Sequence, residues 1–360
     1  MPRVTAIETV LPQYRYTQDE IAEAIARPTL GESAVGSLFL KKIQANAGVS
    51  ARHLSLPLEE LIALDDFTEA NRMWLDTALD VGERVLTEAL RTAGLRPEDV
   101  DAVISTTVTG LAVPSLEARL VHRVGMRPDV KRIPLFGNGC AGGAVGLARL
   151  HEYLRAYPDQ VAVLLAVELC SLAYQYQDTT MANVVASSLF GDGAAAVVAV
   201  GGNRAGVGDG DRTGAVGSPE LVDTYSWLLP DTEGVLGWDI GAHGFRIRLS
   251  PELPALTEEH FPTAVRSLLA RHELTTDRIA SWICHSGGPK VLTAIERSLA
   301  LPPQALALTR QSMADRGNLS SVSVLDVLRM AAESPPPSGA PGLVAALGPG
   351  FAVELVLIRW

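Results

Sequence analysis

The chain has 360 residues, 47% of them hydrophobic, and a formal net charge of −11. This length predicts two core units or one large composite fold, and the apolar content excludes a disordered chain. The negative charge argues against nucleic acid and anionic membrane as partners, because both need clustered basic residues.

Apolar runs bounded by turn residues alternate with helical patterns along the chain. Helical patterns begin with a capping box at Thr17 and Glu20 and recur at 82–95, 141–157, 287–301 and 318–333. Continuous apolar runs, typical of strands buried on both faces, lie at 101–108, 160–169, 193–200, 281–285, 342–348 and 352–358. This alternation predicts an α/β fold.

A glycine-rich stretch at 201–220 separates two alternating blocks. It predicts a junction between an N-terminal half, residues 1–215, and a C-terminal half, residues 216–360. Each half has a polar residue flanked by glycine that opens a helical pattern, Cys140 in the first and Asn318 in the second. This shared theme is consistent with a duplicated fold.

The cysteines and the N-terminus indicate a cytoplasmic protein. Cys140, Cys170 and Cys284 lie far apart and form no CxxC pair, which fits neither a disulfide framework nor a zinc site. The first residues lack the basic flank and apolar segment of a signal peptide. No apolar run approaches the roughly 18 residues that span a bilayer, so we expect no membrane insertion. The spacing of the cysteines gives no reason to expect a metal.

Cys140 lies in the stretch "FGNGCAGG", directly before a helical pattern. A thiol at a helix N-terminus meets unpaired N–H groups and the positive end of the dipole, and both lower its pKa towards the reactive thiolate. The surrounding glycines would let a substrate approach the backbone closely. The alternative is a small buried residue that fills a tight contact.

Two later segments carry polar residues that a cysteine nucleophile can use. His285 ends an apolar run in "CHSGGPK", and Asn318 precedes a helix in "DRGNLSSVSVLDVL". A core histidine and a helix N-cap are the structural alternatives. The order Cys, His, Asn fits papain-like hydrolysis or thiolase-type condensation. Papain-like enzymes have their cysteine near the mature N-terminus, so the position of Cys140 favours condensation.

These segments make the chain resemble the type III polyketide synthases, relatives of chalcone synthase within the thiolase superfamily. The resemblance rests on "GCAGG" at 139–143, "LFGDGAAAVV" at 189–198, "PDTEG" at 230–234, "HSGGP" at 285–289, "RGNLSS" at 316–321 and "LGPGFAVE" at 347–354. It covers essentially the whole chain. Leu347 stands where the family usually has an aromatic residue.

The resemblance implies a thiolase-like αβαβα layered fold built from two similar halves, and roles for three residues. Cys140 would take up a starter acyl group from acyl-CoA. His285 and Asn318 would bind the thioester carbonyl of malonyl-CoA, drive its decarboxylation and stabilise the enolate, which suits preorganised donors. His285 would also hold Cys140 as a thiolate. Coenzyme A thioesters are substrates, and no other cofactor is implied.

The resemblance also predicts a substrate pocket. Phe190 matches an aromatic gatekeeper, and Ile247 replaces a second one, with Phe245 two residues earlier. Trp238 stands where plant enzymes have glycine, and Ala173 is a small residue at another pocket position.

Five further positions belong to the predicted site. One is a serine of the pocket, three are lysines at its entrance, and Val113 lies at a dimer contact. Val113 matches a residue that reaches across the interface of a homodimer, and Ser320 follows Asn318 in the same motif. Lys41, Lys42 and Lys290 are candidates for the CoA phosphates, because an acidic protein needs local positive charge to bind a polyanion.

We therefore expect a bacterial type III polyketide synthase. The bulk of Trp238 beside small Ala173 favours a linear acyl starter and an alkylpyrone or alkylresorcinol product. A naphthalene-type product made from malonyl-CoA alone remains open, as does a single condensation like that of ketoacyl synthase III. From other classes, a thiol hydrolase and a catalytically silent acyl-CoA binder are the alternatives.

Overall fold

The computed structural model describes residues 1–30, 42–176, 178–204 and 217–360. Nine strands form one sheet in the order β11-β12-β13-β8-β1-β7-β6-β4-β5, and two smaller pairs, β2-β3 and β9-β10, lie apart from it. The strands are β1 (Arg3–Val10), β2 (Tyr14–Thr17), β3 (Ala51–Leu54), β4 (Ala102–Thr106), β5 (Lys131–Leu135), β6 (Val161–Leu169), β7 (Asp192–Val200), β8 (Glu220–Leu228), β9 (Leu236–Gly241), β10 (Gly244–Leu249), β11 (Ser281–Cys284), β12 (Pro341–Gly348) and β13 (Ala352–Arg359).

Ten helices connect and cover these strands in the described part of the chain. They are α1 (Gln18–Leu30), α2 (Leu58–Ala63), α3 (Phe67–Ala93), α4 (Leu116–Val124), α5 (Gly142–Ala156), α6 (Met181–Leu189), α7 (Leu253–Ala270), α8 (Pro289–Ser298), α9 (Ala307–Arg316) and α10 (Ser321–Glu333). None of them is both long enough and apolar enough to cross a bilayer.

The large sheet repeats one pairing pattern twice. In the first half, β4 runs parallel to β6, which pairs antiparallel with β7, and β7 pairs antiparallel with β1. In the second half, β11 runs parallel to β12, which pairs antiparallel with β13, and β13 pairs antiparallel with β8. The halves join where Arg3 pairs with Glu220. The chain is therefore built from two similar halves.

Helices α5 and α10 lie between the two half-sheets. Their apolar side chains form one cluster with residues from both halves, such as Ile104 of β4 and Val344 of β12. The opposite faces are covered by α3 and α4 in the first half and by α7 and α8 in the second. Gly143 permits the close contact of α5 with α10, because an added Cβ would lie 2.2 Å from the Ser321 carbonyl oxygen. The layers follow the order αβαβα.

The apolar runs identified in the sequence all form strands of the large sheet, namely β4, β6, β7, β11, β12 and β13. The capping box is also present, since the Thr17 N–H donates to the Glu20 carboxylate at 2.7 Å and the Glu20 N–H donates to the Thr17 hydroxyl at 3.3 Å. The helix predicted at 82–95 is the end of the longer α3. Most of the glycine-rich junction, 205–216, lies outside the described residues, so the domain boundary at 215/216 stays a prediction.

Candidate active site

Cys140, His285 and Asn318 line one small cavity, although the first two are 145 positions apart in the sequence. Its volume is ≈ 30 Å³, space for the centres of a few water molecules. The remaining walls are aliphatic and aromatic, and they include Phe190 and Leu347. The fold therefore brings the three candidate residues to one small, mostly apolar cavity.

Cys140 lies in a single helical turn, Gly139–Ala141, that leads into α5. The thiol is 9% exposed, and burial raises its pKa to about 12, opposed by a hydrogen bond with Ser320. The expectation of a lowered pKa for Cys140 is wrong, because desolvation outweighs the effect of the helix terminus. The adjacent glycines face protein atoms: a Cβ on Gly139 would lie 2.7 Å from Pro349, and one on Gly142 2.5 Å from the Thr106 hydroxyl.

His285 follows the last residue of β11, and its backbone N–H donates to the Ala345 carbonyl of β12 at 2.8 Å. The ring is 5% exposed, and burial lowers its pKa to about 4, so the imidazole is neutral at pH 7. Gly287 lines the same cavity beside the Cδ2–Nε2 edge of the ring. A Cβ there would stand 3.7 Å from Nε2, so the glycine leaves this edge open to a ligand.

Asn318 is fixed by its backbone and by its own side-chain oxygen. Its N–H donates to the Leu189 carbonyl at 2.7 Å, and its carbonyl accepts the Gly191 N–H at 2.9 Å. Its Oδ1 accepts the Ser320 N–H at 2.8 Å. Because that N–H can only donate, the oxygen must face it, which leaves the Nδ2 group of the amide as a donor for the cavity.

Ser320 has a backbone φ of 50°, a left-handed conformation that is uncommon for residues other than glycine. This turn lets its N–H reach Asn318 while its hydroxyl contacts Cys140 and lies 3.3 Å from Glu168 Oε1. Backbone strain of this kind concentrates at functional sites. Ser320 therefore links Cys140 to Asn318 from behind the wall of the cavity, since it is not one of the residues that line it.

Glu168 is a residue of this site that the sequence analysis missed. It is fully buried on β6, where its carboxylate accepts the Ser321 hydroxyl at 2.6 Å and the Val108 N–H at 3.1 Å. Burial raises its pKa to about 7 despite these hydrogen bonds. The available signal was a single acidic residue inside the apolar run "VAVLLAVEL".

Trp238, Ile247 and Ala173 lie beyond the walls of the cavity at Cys140. Trp238 pairs with Ile247 across β9 and β10, next to the Leu236–Leu249 pair whose members do line that cavity. Ala173 lines a second cavity of ≈ 360 Å³.

Phe245, on β10, connects this second cavity to the β9–β10 pair. It lines the ≈ 360 Å³ cavity, and its ring centroid stands 5.8 Å from that of Trp238. Phe245, Ile247 and Leu249 share one face of β10, since side chains alternate along a strand. Ile247 and Trp238 thus lie between the two cavities.

Three of the remaining predicted residues, Val113, Lys42 and Lys290, lie on the surface. Val113 is 96% exposed in the loop after β4, and Lys42 and Lys290 are exposed. The segment of Lys42 packs near the start of α8, where a Cβ on Gly48 would lie 3.4 Å from Pro289. Lys41 lies outside the described residues. No group of three or more His, Cys, Asp or Glu side chains placed to hold a metal occurs among the residues described.

Comparison with known proteins decides the family. Residues 220–360 match the model of the chalcone and stilbene synthases, C-terminal domain, and residues 12–205 match that of the FAE1/type III polyketide synthase-like proteins. The chain is a type III polyketide synthase. It is therefore a condensing acyltransferase with a thiolase-like fold.

Relatives of this synthase cover nearly its full length. It is 49% identical to a 1,3,6,8-tetrahydroxynaphthalene synthase of Streptomyces peucetius subsp. caesius, over 99% of this chain and 93% of the relative. It is 34% identical to a putative chalcone synthase of Bacillus subtilis, over 100% and 99% of the two chains. The crystal structure of the 1,3,6,8-tetrahydroxynaphthalene synthase of Streptomyces coelicolor, a bacterial type III polyketide synthase, superposes with a TM-score of 0.91 at 31% identity, covering 99% of both chains.

Proposed function

We propose that this type III polyketide synthase condenses malonyl-CoA alone and releases a naphthalene-type product, tetrahydroxynaphthalene. The observation that carries the proposal is the 49% identity, over 99% of this chain, with a synthase of that product. A naphthalene skeleton can be assembled entirely from two-carbon units, so malonyl-CoA would serve as both starter and extender.

The shape of the site supports a small starter. A cavity that admits benzene has about 150 Å³, whereas the space at Cys140 is ≈ 30 Å³. The space directly at the thiol therefore suits a two-carbon starter, and any longer chain must extend out of it. The alkylpyrone or alkylresorcinol expectation depended on Trp238 and Ala173 shaping the space at Cys140, and neither residue lines it. The growing chain would extend past Trp238 and Ile247 towards the ≈ 360 Å³ cavity beside Ala173.

The proposed chemistry divides between one nucleophile and two donors. Cys140 Sγ attacks the starter thioester carbonyl, the C–S bond to CoA breaks, and the thiol proton passes through His285 to the departing CoA sulfur. Both groups start neutral, because burial raises the pKa of the thiol and lowers that of the imidazole. The acyl group then stays on Cys140 while CoA leaves.

Extension uses His285 Nε2–H and Asn318 Nδ2–H as donors to the malonyl thioester oxygen. The bond to the carboxylate breaks, CO₂ leaves, and the electron pair enters an enolate whose negative oxygen the two donors stabilise. The enolate carbon attacks the acyl-Cys140 carbonyl and displaces the Cys140 thiolate. Phe190, at the cavity wall, would act as the gate for the incoming thioester.

We also propose a homodimer and a CoA site. Val113 is an almost fully exposed valine, and Leu111 in the same loop is 40% exposed, so this apolar loop suits a partner subunit. Lys290, exposed at the start of α8, and Lys42, exposed in the segment before Gly48, would bind the CoA phosphates, with Lys41 as a further candidate.

The test is incubation of the purified protein with malonyl-CoA alone, then with alkyl-CoA starters added, and identification of the products by mass spectrometry. The proposal predicts tetrahydroxynaphthalene from malonyl-CoA alone. Alkylpyrones formed only with alkyl-CoA would overturn the product assignment, and a single condensation product would indicate a ketoacyl synthase III-like reaction. Free acid without malonyl-CoA consumption would indicate a hydrolase, and absence of CO₂ release a silent binder.

A further inference from the structure

Arg52 is a buried cation next to the active site to which the proposed chemistry gives no role. It lies on β3, is 1% exposed, and its Nη1 donates to the carbonyls of Ser187 at 2.7 Å and Phe190 at 2.8 Å. Its Nε and Nη2 have no hydrogen-bond partner among the described residues. Leaving buried N–H groups unpaired costs free energy, so stability alone does not explain an arginine at this position.

The two carbonyls belong to the C-terminal end of α6. Phe190 is the C-cap of this helix, and its N–H donates to the Ala186 carbonyl. The last carbonyls of a helix lack partners in the helix and carry the negative end of its dipole, so a cation there is favourable. Arg52 therefore caps α6 and fixes the peptide plane of Phe190.

The same end of α6 holds Asn318. Leu189 and Gly191, on either side of Phe190, exchange backbone hydrogen bonds with Asn318 at 2.7 and 2.9 Å. The aliphatic stem of Arg52 also packs under the preceding residue, because a Cβ on Gly317 would lie 2.9 Å from Arg52 Cγ and 2.7 Å from the Leu189 carbonyl. One side chain thus contacts both segments that meet at the cavity.

We propose that Arg52 is a positioning residue that sets the catalytic amide of Asn318 and the gate residue Phe190 by clamping the C-terminus of α6 to the turn before α10. The inference rests on the proposed roles of Asn318 and Phe190. Removing the clamp lets the Phe190 peptide rotate, and the Asn318 backbone, bonded on both sides of it, shifts with it. A displacement of about 1 Å at a reacting group costs on the order of 100-fold in rate.

The experiment compares Arg52→Met and Arg52→Lys in malonyl-CoA decarboxylation, followed as CO₂ release. Arg52→Met is expected to lower kcat by about 10- to 100-fold with KM nearly unchanged, because the donors are misplaced while the CoA site is intact. Arg52→Lys should recover most of the loss, since one ammonium can donate to both carbonyls. Hydrogen exchange at the backbone N–H of Asn318 should be faster in Arg52→Met than in Arg52→Lys or the unaltered protein.

Gln18 supplies a matched control, because its Nε2 donates at 2.7 Å to the carbonyl of Ser188 in the same helical turn. Gln18→Met removes that bond without touching Phe190, so its kcat should stay near that of the unaltered protein. If Arg52→Met does not fold, Arg52→Gln, which keeps one donor, should show an intermediate kcat.

Three results would overturn the role of Arg52. They are an unchanged kcat in the folded neutral variant, a lysine variant as impaired as the methionine variant, and an equal loss in Gln18→Met. Failure of the unaltered protein to decarboxylate malonyl-CoA would instead refute the proposed function. The two failures are therefore distinguishable.

Discussion

Substitution of Glu168 by glutamine tests the buried polar network beside Cys140. The carboxyl is fully buried, and burial raises its pKa from the ordinary 4.5 to about 7. At about 1.4 kcal/mol per pH unit, that rise corresponds to about 3 kcal/mol. The folded protein holds this proton more tightly than the unfolded chain. Its contribution to stability is therefore complete below about pH 4.5 and declines as the pH rises to about 7.

Glu168→Gln has no proton to lose and should lack this decline. The free energies of unfolding of the two proteins, measured by urea titration with tryptophan fluorescence from pH 5 to pH 8, should therefore change relative to each other. The unaltered protein should lose about 2 to 3 kcal/mol relative to the variant across this range. Cys140 contributes nothing in this window, because its pKa of about 12 keeps the thiol neutral. A difference that stays constant from pH 5 to pH 8 would refute the argument.

Three further substitutions test other parts of the structure. His285→Asn should show the opposite pH trend, because burial lowers the pKa of His285 from 6.5 to about 4. The unaltered protein should therefore lose stability relative to the variant as the pH falls from 6.5 to about 4. A difference in unfolding free energy that does not change with pH would contradict this. Gly143→Ala should destabilise the protein by roughly 3 kcal/mol, because the added Cβ would clash with the Ser321 carbonyl. Gly234→Ala is the control, since a Cβ there meets no atom within 4 Å and should leave the melting temperature unchanged. Equal melting temperatures of the two variants would disprove the close contact of α5 and α10. Val113→Glu should convert the proposed homodimer into monomers, which light scattering would record as half the mass, and an unchanged dimer mass would exclude this loop from the interface.

The sequence was most informative where the fold buries continuous apolar runs. All six of the runs interpreted as strands belong to the large sheet, because strands covered on both faces are apolar at every position. β8 and the β9–β10 pair were missed because they are partly exposed and interrupted by polar residues, as their burial shows. Helix α7 was missed as well; it contains Pro262, which weakens a helical pattern.

The residues that meet at the cavity, Cys140, His285 and Asn318, were predictable from the sequence, but the electrostatics of the site were not. Cys140 and Asn318 could be paired because each opens a helix in its own half. The pKa of Cys140 could not be predicted, since it depends on how completely distant segments exclude water from the thiol. Glu168 and Arg52 were missed for a related reason: their surroundings come from several separate segments, and their own sequence neighbours show nothing of the contacts they make.

The most direct test of the central claim is the location of the acyl group during turnover. The protein is mixed with malonyl-CoA, quenched, digested and mapped by mass spectrometry. The account predicts an acyl adduct on the peptide that contains Cys140, and neither adduct nor polyketide in Cys140→Ala. An adduct on Cys170 or Cys284, or polyketide formed by Cys140→Ala, would contradict it.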